Sequence, residues 1–334
     1  MANQETQKLD SIIASRRALL AMGGVALAGL AFAPKASAQA AITDNDILNF
    51  ALNLEYLEAQ FYTLAVYGVT IDKLPTPIPT GVNGGTGGTV ALKPAFTPVP
   101  FLLPTIKAYA TETAIEEGKH VTFLQGALGK NAVSMPNIDL YNSFNGLAKL
   151  AGIGPAFDPF ASDANFLIGA YIFEDVGVSA YHGAAPLIQD KKKILPAAVG
   201  IHSVEAYHAG LVRTSINAID VDGTLKTYTQ QISALRSSVA NPSGKVTDDF
   251  GITTVMVGLN GTAAGTPPVV PAKYPAITIV DADITTTSIS PGRTTTQVIA
   301  IVTGGNANND NTGGFFPNGM NGTIGAKIVA TPAA

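Results

Sequence analysis

The chain has 334 residues, a formal charge of −4, and 46% hydrophobic against 13% charged residues. This composition supports a sizeable core and excludes global disorder, and the lack of a basic excess removes the electrostatic footprint for nucleic acid. Cysteine is absent, which excludes disulfides, thiolate zinc sites, iron–sulfur clusters and a thiol nucleophile together.

Residues 1–38 have the three-part layout of an export signal. A polar stretch ends in Ser15-Arg16-Arg17, an apolar run of 16 residues spans Ala18 to Ala33, and Ala36-Ser37-Ala38 supplies a small-residue cleavage site. The run is shorter than the roughly 20 residues of a spanning helix, so no stable membrane span is expected after cleavage near Gln39. Ser15-Arg16-Arg17-Ala18-Leu19-Leu20 resembles the twin-arginine export motif, with Leu19 where Phe is frequent. The Gly/Ala-rich run followed by Lys35 is similar to the same signal type. The resemblance implies export of a folded protein to a periplasmic or extracellular location.

Four long helices are predicted in the bundle expected over 41–240. The first covers Asp44 to Val66, with Thr43 and Asp44 as N-cap candidates and Ile47, Ala51, Leu54, Phe61 and Ala65 at helical spacing. A Pro- and Gly-rich stretch from Gly68 to Pro104 interrupts the pattern. The second helix covers Thr105 to Leu128, and a long connection to Asp163 follows, with a short helix predicted at Leu140–Ala151. The third, Ala164 to Gln189, is apolar nearly all round and is expected to be buried. The fourth runs from Ala197 to Ala218 after Pro196, with a further helical piece at Leu225–Ser237. Four long helices with one extended crossover define a known class of bundle. From Lys245 Glu and His disappear, while Thr, Gly, Asn, Val and Pro dominate. The runs 275–284 and 294–303 read as strands. Residues 245–334 are therefore expected to form a small β-rich region, either a separate domain or an extension of the bundle, with a surface or homo-oligomer-forming role.

The four histidines, His120, His182, His202 and His208, all fall in predicted helices. So do all seven glutamates beyond the leader, at 55, 58, 112, 116, 117, 174 and 205. Exposed loops normally use glutamate freely, so its confinement here points to a site. Glu117-Gly-Lys-His120 and Glu205-Ala-Tyr-His208 are both Glu-x-x-His, a spacing that puts carboxylate and imidazole on one helix face about 4.5 Å apart along the axis. The other two helices offer Glu55 and Glu174 in apolar settings. One Glu from each of two helices, with Glu-x-x-His from each of the other two, is the donor set of di-iron and di-manganese carboxylate sites. Buried carboxylates repel one another, and two divalent cations remove that penalty. Oxygen-rich ligation with one imidazole per ion suits iron or manganese. The expected ligands are Glu55, Glu117, His120, Glu174, Glu205 and His208, with Glu117 and Glu205 as the bridging pair.

Tyr62 follows Glu55 by seven residues, and Tyr181 follows Glu174 by the same step. Each tyrosine shares a face with its glutamate, as an internal two-fold repeat would arrange, and is expected to support the ligands by hydrogen bonding. Glu58, one turn beyond Glu55, reads either as a further ligand or as a solvated side chain. Glu112 and Glu116 read as surface positions, and His182 and His202 as packed core histidines.

Leu54–Tyr62, Glu174–Ala184 and Val204–Ala209 resemble the ferritin-like domain of the desiccation-related proteins. The resemblance covers roughly 41–220 and leaves out the C-terminal region. It implies a ferritin-like bundle, export, and a link to drying or stress. The donor set itself suggests redox chemistry with O2 or peroxide, as Fe(II) oxidation or manganese-catalase-like disproportionation. The rival reading is a structural, protective protein whose site is empty or vestigial.

Overall fold

The computed structural model describes residues 42–242, 248–258, 273–282, 287–305 and 311–324. The leader of residues 1–38 lies outside them. Among the described residues no helix is long and apolar enough to cross a membrane.

Four long helices form the bundle: α1 (Asp44–Tyr67), α2 (Pro104–Leu128), α4 (Asp163–Ala184) and α5 (Ile194–Ile219). A short α3 (Asn142–Leu150) lies in the crossover, and α6 (Thr224–Ala240) follows the bundle. Local chemistry sets the ends. Thr43 caps α1 through a capping box with Asp46, and Gly68 stops it in the left-handed conformation at φ 71°. Pro104 opens α2 where a missing N–H costs nothing, and the Asp163 carboxylate accepts from Leu102 N and Leu103 N just before it. Ser162 caps α4 by accepting from Asn165 N. The third helix stops at Ala184 rather than Gln189: Pro186 cannot continue the ladder, and a 3-10 turn over Ala185–Leu187 takes over. Pro196 stands inside the first turn of α5, where its nitrogen has no helical partner to lose.

Helix α1 packs along α2, and α4 along α5, giving two hairpins that face each other. The long loops that follow α1 and α2 meet in a two-residue parallel pairing, β1 (Val90–Ala91) with β2 (Ile138–Asp139). An aromatic cluster around Phe61, with Phe144, Phe160, Phe166 and Phe173, fills the core between the hairpins and the crossover.

The described part of 275–284 is strand only through Ile277, and 294–303 departs further from the expectation. Strands β3 (Thr254–Gly258) and β4 (Lys273–Ile277) pair antiparallel, but 294–303 is not a strand. It forms helix α7 (Thr295–Val302), opened by a capping box between Thr294 and Gln297. The apolar run is β-branched, yet the cap and the burial of Val298, Ile299, Ile301 and Val302 outweigh that weak preference. The region also threads into the bundle. Asn53 on α1 and Asn321 exchange two hydrogen bonds, Arg293 N donates to Ser179 O on α4, and Phe315 packs on Phe144 and Phe173. Gly183 is required where the chain passes at Arg293, since a Cβ there would stand 1.9 Å from the Arg293 carbonyl oxygen.

Candidate metal centre

The six predicted ligands converge inside the bundle. Glu55 comes from α1, Glu117 and His120 from α2, Glu174 from α4, and Glu205 and His208 from α5. All six are buried, the four glutamates to 1% exposure or less. They form two overlapping groups: Glu55, Glu117, His120 and Glu205 in one, and Glu117, Glu174, Glu205 and His208 in the other. Within each group one donor atom per residue lies within 4.8 Å of the others. His120 Nδ1 is 3.2 Å from Glu55, 3.4 Å from Glu205 and 3.5 Å from Glu117. His208 Nδ1 is 2.9 Å from Glu117 and 3.5 Å from Glu174. The Glu-x-x-His spacing thus delivers both side chains of each pair to one place.

The tyrosines cross. Tyr62 on α1 donates to Glu174 on α4, and Tyr181 on α4 donates to Glu55 on α1. Sequence spacing put each tyrosine on the face of its own glutamate; the facing hairpins then hand its hydroxyl to the symmetry-related one. Glu58 is buried beside the set rather than solvated. Its repeat-related position on α4 is Gly177, where a Cβ would stand 2.4 Å from Glu205 Oε2 and 3.4 Å from Glu58 Oε1. The repeat is broken there because one side must be empty for the carboxylates on the other to fit.

Burial dominates the electrostatics. It pushes Glu55 up to about 7, with His120 pulling the other way. Burial, then neighbouring carboxylates, pushes Glu58 and Glu205 well above the ordinary carboxylate range, and burial raises Glu174 against the pull of His208. Glu117 is the exception. Burial opposes its charge, but contacts with His120 and His208 together bring it down to about 2. Both imidazoles hold protons strongly despite burial, because carboxylates surround them; His208 is pushed up to about 12. A cluster this acidic seeks positive charge, and protons supply it where no cation does.

The donor geometry fits a metal pair. Both oxygens of Glu117, both of Glu205, Glu174 Oε2 and His208 Nδ1 are buried and lack an aligned hydrogen bond among the described residues, although imidazole nitrogens stand close to several of them. Buried acceptors of this kind are costly unless something coordinates them.

Glu116 is more than the surface residue the sequence suggested. Its half-exposed carboxylate lies 2.7 Å from His208 Nε2, behind the nitrogen that faces Glu117 and Glu174. Its position next to Glu117, pointing around the helix, was the only signal for it. Glu112 is exposed as expected. His182 and His202 join neither group; their half-buried rings pack together with centroids 6.2 Å apart.

Three comparisons bear on identity. The ferritin-like domain family matches residues 43–218, more than half of the chain. The desiccation-related protein PCC13-62 of Craterostigma plantagineum is 28% identical over 222 residues, covering 63% of this chain and 66% of that protein. The chain thus spans about two thirds of that relative's length. The ferritin-like catalase Nec2 of Nesocodon mauritianus is 24% identical over 296 residues, covering 86% of both chains. No solved structure matches. With four facing helices, paired Glu-x-x-His motifs and a matching domain across the whole bundle, the chain belongs to the ferritin-like family and is a relative of the desiccation-related proteins.

Proposed function

We propose that Glu55, Glu117, His120, Glu174, Glu205 and His208 hold two iron or two manganese ions, and that the loaded centre performs redox chemistry on peroxide. The observation that carries this reading is the sharing of Glu117 and Glu205 between two four-residue groups, each with one imidazole of its own. Two sites that share two carboxylates would hold two ions as neighbours, as two-metal chemistry requires. Such a pair, when bound, supplies the reversible electron exchange that peroxide conversion needs. The chain's residues do the rest. Tyr62 and Tyr181 fix the orientation of Glu174 and Glu55, Glu116 fixes the His208 ring, and the surrounding apolar core keeps bulk water from the carboxylates. Glu58, beside Glu205 and with its affinity for a proton raised by burial, is a carboxyl that can hold a proton at the edge of the centre. The choice of peroxide is supported by the relative named a ferritin-like catalase, which aligns along most of both chains.

Metal analysis of protein folded in the producing cell, combined with oxygen evolution from added peroxide, tests the reading. Two ions per chain and oxygen release, both lost in Glu205→Ala, are expected. Protein that binds less than one ion per chain sinks the metal assignment. Two ions with Fe(II) oxidation but no oxygen release would move the reaction to oxidation of Fe(II) by O2.

The leader supports export by the twin-arginine route. Changing Arg16 and Arg17 together to Lys should retain the precursor in the cytoplasm, and exported protein beginning at Met1 would refute a cleaved signal.

A further inference from the structure

A cavity of about 340 Å³ lies at the end of the bundle where both hairpins meet. Leu124 and Ile201 form its walls, Phe123 its mouth and Tyr181 its inner end. The lining is apolar except at the rim, where Asp190 and Lys193 stand at the start of α5. Its size is in the range of small-molecule sites, about 300–1,000 Å³, and an apolar lining with a few placed polar groups is their usual character. For scale, an apolar cavity of about 150 Å³ takes up benzene.

The rim is built rather than incidental. Asp190 accepts from both Lys192 N and Lys193 N, which hold its carboxylate in place, and its own N–H donates to Asp44 at the start of α1. Those backbone bonds hold the Asp190 carboxyl below its ordinary value, so it is an acceptor at neutral pH. At the inner end, the Tyr181 hydroxyl donates to Glu55, which leaves its oxygen lone pairs as acceptors. Asp190 and the Tyr181 oxygen accept while the Lys193 ammonium can donate, a set matched by a hydroxyl that does both, and the two rings, Phe123 and Tyr181, favour edge or offset contact with another ring.

We propose that this cavity is a binding site for a small neutral phenol, a single ring with a short apolar side chain. Its hydroxyl donates to Asp190 or to the Tyr181 oxygen, and its ring packs between Phe123 and Tyr181. A bound phenol would rest against Tyr181, whose hydroxyl donates to Glu55. The cavity is formed by the folded chain alone, so the proposal stands apart from the metal and peroxide readings.

The test uses the full chain, in metal-free and metal-loaded forms, with 4-propylphenol as probe and 4-propylcyclohexanol as its saturated match. Because the chain has no tryptophan, Phe123→Trp places a single indole at the mouth for fluorescence, while calorimetry follows the unsubstituted protein. Saturable binding with Kd below about 1 mM is expected, at least tenfold weaker for the saturated analogue and at least tenfold weaker in Ala198→Phe, which fills the cavity. If Ala198→Phe does not fold, Ile201→Phe serves the same purpose. No saturable heat or quenching at 1 mM, equal binding by a folded cavity-filled variant, or equal binding of the two probes would each overturn the proposal.

Discussion

Two adjacent residues of α4 enter two opposite kinds of buried charge. Glu174 points into the centre described above, where five carboxylates, with Glu55, Glu58, Glu117 and Glu205, meet two imidazoles. Asp175 points around the helix into a second cluster. There Arg213 Nε and Nη2 donate to its two oxygens at 2.9 and 3.0 Å, and Arg236 Nη2 donates at 2.7 Å. Arg236 and Arg293 also donate to Asp249 at 2.8 Å, and Arg213 and Arg236 stack against Tyr171. The arginines hold Asp175 low despite its burial. In one cluster the arginines offset Asp175 and Asp249 within the chain, and burial leaves Asp281 beside them holding its proton up to about 7. The other is left acidic, so it stays open to ions from outside. Burial alone does not mark a site; burial without internal compensation does.

The sharpest way to break this contrast is at Arg236. Arg236→Met takes one of two arginine partners from both Asp175 and Asp249 in the interior, leaving Arg213 on the first and Arg293 on the second, and a loss of about 3–5 kcal/mol is expected. Denaturant unfolding measures it, and added iron or manganese should not restore it. Glu205→Gln should do the reverse. Metal content should fall for both ions, while the metal-free protein stays within about 1 kcal/mol of the parent, because burial and neighbouring carboxylates already keep the Glu205 carboxyl protonated there. Comparable destabilisation in both experiments would erase the distinction between the clusters.

A smaller effect is expected at the rim. Glu116→Ala frees the His208 ring without removing a donor, and losses of this kind typically cost about 10–100-fold in metal affinity. Competition with a chelator should show the loss for one ion of the pair, with His120→Ala affecting the other.

The mildest test is pH. In the metal-free protein Glu55 holds its proton up to about 7 against an ordinary 4.5, so the folded state binds that proton more tightly than the unfolded one. Its contribution to stability is whole below 4.5 and declines as pH rises through about 7. His208 acts in the same sense above 6.5, toward about 12. Metal must displace these protons, so its affinity rises across the same window. Unfolding midpoints should therefore fall with pH for the metal-free form between about 4.5 and 7 while the stabilisation conferred by metal grows. Asp175 works oppositely, contributing stability above 3.8 that is lost on acidification.

The clustering of the six side chains was legible in the sequence because Glu-x-x-His encodes geometry in its spacing: both side chains lie on one face of one helix, and their relation needs no knowledge of the fold. The crossed tyrosines were half legible, since spacing fixes the face of a helix but not which helix it meets. Glu58 and Gly177 were not, because the volume that decides between them belongs to Glu205 on another helix. The arginine cluster gave no local signal either: Arg213, Arg236 and Arg293 come from three segments joined only by folding. At 294–303 the β-branched composition misled, while the Thr294–Gln297 cap carried the better information.

The crossed tyrosines have one more consequence. The α1–α2 hairpin carries Glu55, Glu117, His120 and Tyr62, and the α4–α5 hairpin carries Glu174, Glu205, His208 and Tyr181. Neither hairpin contains a phenol for its own glutamate, so each half is completed only by the other. The centre is thus a checkpoint for assembly: it forms when two halves of the chain have found each other in the correct register, and not before. A cut in the crossover between them would leave two fragments whose most specific common feature is the site they must share, so their reassociation and the completion of that site would be one event.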